Sequence, residues 1–524
     1  MARTSASLSG VFNIADEFIS RPAREHPDEP AILGIGRAAT YAELEAEVNR
    51  VARALADSGC KPGDRVLIVL PDSIEFIATF FGAAKIGAIA VPVNSMARAA
   101  DYRLYMTNSG ARFAVVHHSI VYEFVADNVA SSLELLVVAG RKVSRLKTMG
   151  CQAVYWGDWL PIIREAAPTH RTSPDHPAFF LYTSGSGGPP KAAVHRHRDM
   201  LITSRNYAEG VLELRPDDRM FSVSKLYFAY GLGNGMYFPL FFGASTVLYP
   251  ERPRPDRVAE VVAEYRPTVF YAVPTFYAAL LREAEQGLKL DLSSVRIAVS
   301  AGESLPAEVF ERFRRRFGIE ILDGIGSTEM LHVFLSTRPG EARPGTCGRE
   351  VPGYEARIVN EASEPVAGGE IGNLWVKGES AFAQYWQMPE LTSQVKNDGW
   401  VFTGDKFSRD SEGFYHYAGR ADDMMKVSGM WVSPGEVENA LLSHPAVAEC
   451  AVVGRVDAMG LARPVAYIVL RPGLPAPAGG LDSEINGWLH TRLVGFKCPH
   501  EFRFVTELPK TATGKIQRFL LRST

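Results

Sequence analysis

The sequence predicts an α/β fold in two unequal parts: a large N-terminal domain of mostly parallel sheets flanked by helices, with a Gly-rich β subdomain, and a small α+β C-terminal domain. Three observations predict it. Between about Thr40 and Asp323 short β-rich apolar runs alternate with helical patterns, the rhythm of parallel sheets joined by crossover helices. After about Gly345 the texture becomes Gly-rich and strand-like. The 524 residues also exceed the size at which one hydrophobic core keeps growing.

In chain order, strands are expected at Val66–Leu70, Ala88–Val93, Ala114–Val116, Phe179–Tyr182, Val269–Ala272, Ile297–Ser300 and Ile319–Leu322. Ile74–Gly87, Pro274–Glu285 and Pro306–Phe317 are long and patterned enough to be the crossover helices. The most apolar stretch, Ile77–Val93, is broken by Lys85 and Pro92 and reads as a buried helix running into a buried strand, not a membrane span. The polar run Gly419-Arg420-Ala421-Asp422-Asp423 precedes a new α+β pattern, so the domains are set at 1–420 and 421–524. Ser433-Pro434-Gly435-Glu436 has the form of a capping box and predicts a helix from Pro434 to about Ser443. Strands Ala448–Val453 and Val465–Leu470 and a helix near Ser483–Val494 complete the small domain.

Hydrophobic residues at 46% and charged residues at 22% are those of an ordinary globular protein. A net charge of −3 from 56 basic and 59 acidic residues leaves no electrostatic footprint for nucleic acid or an anionic membrane. Met1–Gly10 is Ser-rich without an apolar secretory core. The five cysteines are scattered, odd in number and never spaced C-x-x-C, as expected of reduced thiols in the cytoplasm.

Four segments carry groups suited to chemistry. After the strand Phe179–Tyr182, the run Thr183-Ser184-Gly185-Ser186-Gly187-Gly188-Pro189-Pro190-Lys191 combines hydroxyls, glycines and a lysine. Glycines let backbone N–H groups approach phosphate oxygens, and the lysine adds a mobile positive charge. It is not a Walker A sequence, since Pro190 precedes Lys191 and Ala192 follows it. Asp323-Gly324-Ile325-Gly326-Ser327-Thr328-Glu329 follows a strand end, where ligands of open α/β sheets gather. There Thr328 could bind phosphate and Glu329 a divalent cation such as Mg²⁺. Thr403-Gly404-Asp405 and Gly419-Arg420 offer a carboxylate for a ribose diol and a guanidinium for sugar or phosphate. Pro509-Lys510-Thr511-Ala512-Thr513-Gly514-Lys515 is a short loop able to deliver Lys515 to a distant site.

In this order and spacing the four segments resemble the adenylate-forming family of acyl-CoA synthetases, peptide-synthetase adenylation domains and beetle luciferases, over nearly the whole chain. Lys225 through Asn234, Ala301-Gly302-Glu303 and Gly324 through His332 are similar to benzoate–CoA ligases in particular. The resemblance implies ATP and Mg²⁺ as co-substrate and cofactor, an aryl acid substrate, and CoA or the phosphopantetheine of a carrier protein as acceptor. It implies that Thr183, Ser184, Gly185, Ser186, Gly188, Lys191, Gly302, Glu303, Asp323, Gly324, Ile325, Thr328, Asp405 and Arg420 bind the nucleotide. Ala229, Tyr230, Gly302, Gly326, His332 and Val333 would surround the acid's ring. Lys515 would stabilise the charge that develops during adenylation, with Thr328 and Glu329. Asp422 would be the hinge of a swinging small domain. Lys426, Ser428 and Gly429 would line a thiol channel.

One departure stands out. Gly187 replaces a threonine of the family's phosphate loop and Ala192 its last glycine. A missing hydroxyl to a charged phosphate would cost about 1.5–3 kcal/mol if nothing compensates. This leaves room for a non-catalytic nucleotide- or acyl-binding homologue, which the retention of Lys515, Glu329, Asp405 and Arg420 opposes. His195 and His197, like His117–His118, lack further ligands at zinc spacing, and Asp217–Asp218 reads as a solvated turn.

Overall fold

The structure is a computed structural model and describes residues 10–35, 37–143, 150–160, 167–183, 190–421, 423–427, 430–456, 462–471, 480–510 and 516–522. Two large sheets organise the N-terminal part. The first has the strand order Gln384–Tyr385, Lys191–Arg196, Pro177–Thr183, Ile89–Pro92, Arg65–Val69, Phe113–His117, Leu135–Ala139 and Gln152–Tyr155. From Pro177–Thr183 to Gln152–Tyr155 its neighbours run parallel. The second has the order Arg349–Glu350, Val333–Ser336, Ile321–Gly326, Ile297–Ser300, Val269–Ala272, Arg219–Ser222, Ser245–Leu248, Pro30–Gly34 and Ala39–Thr40, parallel from Ile321–Gly326 to Pro30–Gly34. The central parallel strands are buried on both faces, as their unbroken apolar composition dictates.

The helix Ile74–Lys85 starts where the Ser73 hydroxyl accepts the N–H of Phe76 at 3.2 Å. It is buried on almost every side and leads into Ile89–Pro92, as read from the sequence. A smaller antiparallel sheet pairs Tyr354–Val359, Gly372–Gly378, Trp400–Arg409 and Tyr415–Arg420, forming the Gly-rich β subdomain. The C-terminal part pairs Val447–Val456 with Ala462–Leu470, and the latter with Glu501–Phe504, under the helices Pro434–Leu442 and Leu481–His490.

Three expectations need correction. The strand expected at Ile319–Leu322 begins at Ile321 and continues to Gly326, because antiparallel pairing with Val333–Ser336 extends it. Gly324, Ile325 and Gly326 are therefore strand residues, not loop. Only half of the expected capping box forms: the Ser433 hydroxyl accepts the Glu436 N–H at 3.2 Å, but the Glu436 carboxylate is drawn to Lys497 Nζ at 2.7 and 2.8 Å. Asp218 is not solvated. It is 3% exposed and receives Arg296 Nε at 2.8 Å, Arg296 Nη2 at 2.5 Å and the Thr268 hydroxyl at 2.6 Å, which hold its carboxyl below the ordinary range against the opposing effect of burial.

Candidate active site

The carboxyl ends of the parallel strands converge on one cavity of about 1320 Å³. Into its wall run Pro274 and Thr275 after Val269–Ala272, Gly302 and Glu303 after Ile297–Ser300, and Gly326 through Glu329 at the end of Ile321–Gly326. Thr183 and Lys191 reach it from the other large sheet, facing each other across the antiparallel pair that brackets Ser184–Pro190. Ser184, Gly185, Ser186, Gly187 and Gly188 lie outside the described residues.

Asp405 and Arg420 arrive from the β subdomain as a cross-strand pair. Arg420 Nη1 donates to Asp405 Oδ1 at 3.2 Å and to the Thr403 carbonyl at 3.0 Å. Gly404, next to Asp405 in the strand Trp400–Arg409, has a φ of +75°, a backbone conformation that favours glycine.

The cavity is also lined by Ala229, Tyr230, Gly302, Gly326, His332 and Val333, the six residues of the expected acid recess. The Tyr230 hydroxyl donates to the Val299 carbonyl at 3.1 Å, which fixes its ring. His332 is 2% exposed and packed among Phe238, Tyr207 and Tyr230, with ring centroids 4.6, 5.3 and 5.6 Å away. Burial pushes its imidazole down to about 3, so it is neutral at physiological pH. A Cβ on Gly326 would lie 2.4 Å from the His332 carbonyl oxygen; glycine alone fits there.

Glu329, Thr328, Gly324 and Ile325 also line the cavity. Tyr385, which the sequence reading missed, donates its hydroxyl to Glu329 Oε1 at 2.6 Å. Its strand has only two residues, too short for any periodic signal. Asp323 does not line the cavity as expected. It is buried behind the wall, and burial pushes its carboxyl up to about 8. A carboxyl raised in this way holds its proton in the folded protein where the unfolded chain has lost it, so stability falls as pH rises from about 4 to 8. The melting temperature of Asp323→Asn, which cannot ionise, should therefore decline less between pH 5 and 9 than that of the parent; equal slopes would refute this.

From the small domain, Lys510, Ile516, Gln517 and Arg518 line the cavity on either side of 511–515. Lys510 and Ile516 are bridged to each other. Arg282 meets Glu449 across the two parts at 3.4 Å, and Lys510, from Glu449's own side, meets the same carboxylate at 2.5 Å. Lys515, Asp422, Ser428, Gly429 and the side chain of Lys426 lie outside the described residues; the Lys426 backbone belongs to the strand Met425–Val427. Among the described residues, no three His, Cys, Asp or Glu side chains are grouped as a protein-built metal cage requires.

The sequence pattern of the AMP-binding enzymes matches residues 19–386, and that of the AMP-binding enzyme C-terminal domain matches residues 436–515. The chain belongs to the AMP-binding enzyme family. Within that family it is 43% identical to the benzoate–CoA ligase of Thauera aromatica, covering 98% of this chain and 96% of that one. It is 39% identical to the 3-hydroxybenzoate–CoA ligase of Aromatoleum sp. (strain CIB), covering 100% and 98%. Among solved AMP-binding structures, a benzoate CoA ligase from Burkholderia xenovorans LB400 superposes with a TM-score of 0.90 at 40% identity, covering 98% of this chain and 100% of that one. An anthranilate CoA ligase in complex with anthranoyl-AMP gives 0.92 at 38%, covering 100% and 98%.

Proposed function

We propose that the protein joins a benzoate-class aryl acid to coenzyme A, driven by ATP, through an aryl-AMP. The observation that carries this reading is a single cavity lined both by the expected acid residues, Tyr230 and His332 among them, and by Thr183, Lys191, Thr328, Glu329, Asp405 and Arg420. The named substrates of the relatives, benzoate and hydroxybenzoate, support it. Because the relatives matched over nearly their whole length are CoA ligases, free CoA is favoured over a carrier protein as acceptor.

In the first half-reaction a carboxylate oxygen attacks the α-phosphorus, the bond to the β-phosphate oxygen breaks and pyrophosphate leaves. Asp405 and Arg420 hold the ribose, while Thr183, Lys191 and Thr328 hold phosphate oxygens. Glu329, its carboxylate anchored by Tyr385, suits Mg²⁺, which is held through one or two carboxylates together with water and substrate phosphates. That cation would neutralise charge on the phosphates. Lys515 stabilises the charge building on the α-phosphoryl oxygens; its neighbour Ile516 lines the cavity, which supports this role. In the second half-reaction the thiol attacks the acyl carbonyl and AMP leaves. We take 1–420 and 421–524 as the bodies that rearrange between the steps, about Asp422, so that Lys426, Ser428 and Gly429 face the thiol. Five unpaired cysteines support a cytoplasmic setting.

Pyrophosphate release across benzoate, hydroxybenzoates, cinnamate and long-chain fatty acids tests the reading. Benzoate-sized acids should give the higher kcat/KM. Ala229→Leu, by overfilling the recess, should reduce kcat/KM for benzoate by the equivalent of about 1–3 kcal/mol. A higher kcat/KM for palmitate than for benzoate, in the parent protein, would overturn the assignment.

A further inference from the structure

His195 lies where the strand Lys191–Arg196 meets the helix His197–Thr203. It is 0% exposed, and its ring stacks on Phe179 with centroids 5.2 Å apart and planes at 18°. Nδ1 is 3.1 Å from Asp199 Oδ2, and Nε2 is 2.8 Å from the backbone carbonyl of Thr328. A carbonyl only accepts, so Nε2 carries the hydrogen, whichever of His195 and Asp199 holds the other proton. Asp199 is itself fixed: it accepts the backbone N–H of Arg196 at 2.9 Å and Arg196 Nε at 3.1 Å.

The peptide that His195 grips is chemically placed. Thr328 and Glu329 line the cavity, and the Thr328 carbonyl also accepts the Leu331 N–H at 3.1 Å, closing a turn. On the far side of that turn the Glu329 carbonyl accepts the Phe382 N–H at 2.7 Å. Tyr385, which holds the Glu329 carboxylate, pairs with Ala193 of the same strand. One strand thus begins with Lys191 at the cavity wall and carries, one residue from its end, the imidazole that tethers Thr328. A buried neutral helix or strand contact would need only an apolar side chain here; a fully buried, doubly hydrogen-bonded ring is costly to leave half-satisfied and fixes direction as well as distance.

We propose that His195 is a positioning residue for adenylation, its Nε2–H holding the Thr328 carbonyl so that Thr328 and Glu329 face the nucleotide phosphates. The proposal rests on the reading that those two residues serve the first half-reaction. It does not require His195 to touch substrate.

Three substitutions separate positioning from packing. In His195→Gln the side-chain amide reaches as far as Nε2 and can donate; in His195→Asn it reaches only as far as Nδ1; His195→Leu donates nothing. Pyrophosphate release from ATP and benzoate, thioester formation from supplied benzoyl-AMP and CoA, and melting temperature are measured for each. Misplacement of reacting groups by an ångström costs up to about a hundredfold, so Asn and Leu should lower the adenylation kcat by about ten- to a hundredfold while thioester formation stays within about threefold of the parent. Gln should recover at least about fivefold over Asn, on the same scale of positional effects. Equal loss in Gln and Asn, equal loss of both half-reactions, or parent-like adenylation in Asn would overturn the proposal. Should Leu fail to fold, the Gln and Asn pair still decides it. Glu329→Gln run alongside separates the two levels. If it collapses adenylation while the His195 variants do not, only the present proposal fails; if it leaves adenylation intact, the reading of Glu329 fails with it.

Discussion

Lys515→Ala should reduce pyrophosphate release from ATP and benzoate by about 10²–10³-fold, the usual effect of removing one preorganised group that stabilises transition-state charge. Thioester formation from supplied benzoyl-AMP should survive, because in the proposed rearrangement Lys515 has left the site before that step. The residues on either side of 511–515, Lys510 and Ile516, are bridged to each other and line the cavity. Following the two half-reactions separately checks this. Equal damage to both steps would remove the support for a lysine that acts in one half-reaction alone.

Asp72→Leu should be strongly destabilising. Asp72 is 4% exposed and Lys225 6%; Lys225 Nζ lies 3.4 Å from Asp72 Oδ2 and also donates to the Tyr249 carbonyl. Burial raises the carboxyl and lowers the ammonium, each opposed by the partner's charge. Removing the carboxylate strands a buried ammonium, which costs about 3–5 kcal/mol. Asp72 Oδ1 also accepts the Leu226 N–H at 2.9 Å, three residues before Ala229, so the recess should loosen and KM for benzoate should rise. The pair replacement Asp72→Leu with Lys225→Met leaves no orphan charge and should recover much of the stability. Denaturant unfolding of the single and double variants tests this; a single variant as stable as the parent would refute it.

Buried parallel strands such as Val269–Ala272 and Ile297–Ser300, and the helix Pro274–Glu285 between them, were legible because each is a short apolar run or amphipathic stretch bounded by its own sequence signals. What escaped depended on distant partners. Ile321–Gly326 is lengthened by Val333–Ser336 across a turn, and glycines within it read as loop when taken alone. Asp218 read as solvated because Thr268 and Arg296, which bury its charge, are 50 and 78 residues away. Glu329, Asp405 and Arg420, singled out through their local motifs, all line the cavity. Tyr385 and His195 were not found as site residues, since each acts through one long-range hydrogen bond, spanning 56 and 133 residues. Asp323 sat in the right motif but is buried and absent from the cavity's lining, a placement set by packing that no local signal announces.

The central claim is that the acid is activated as an aryl-AMP, and the most direct measurement follows an oxygen label. Benzoate labelled with oxygen-18 in its carboxylate is turned over with ATP and CoA, and the phosphate-containing products are analysed by mass spectrometry. Attack of the carboxylate on the α-phosphorus leaves one carboxylate oxygen on that phosphorus when the thiol later displaces AMP. Labelled AMP with unlabelled pyrophosphate is the predicted result; ADP with label in inorganic phosphate, or AMP without label, would contradict it.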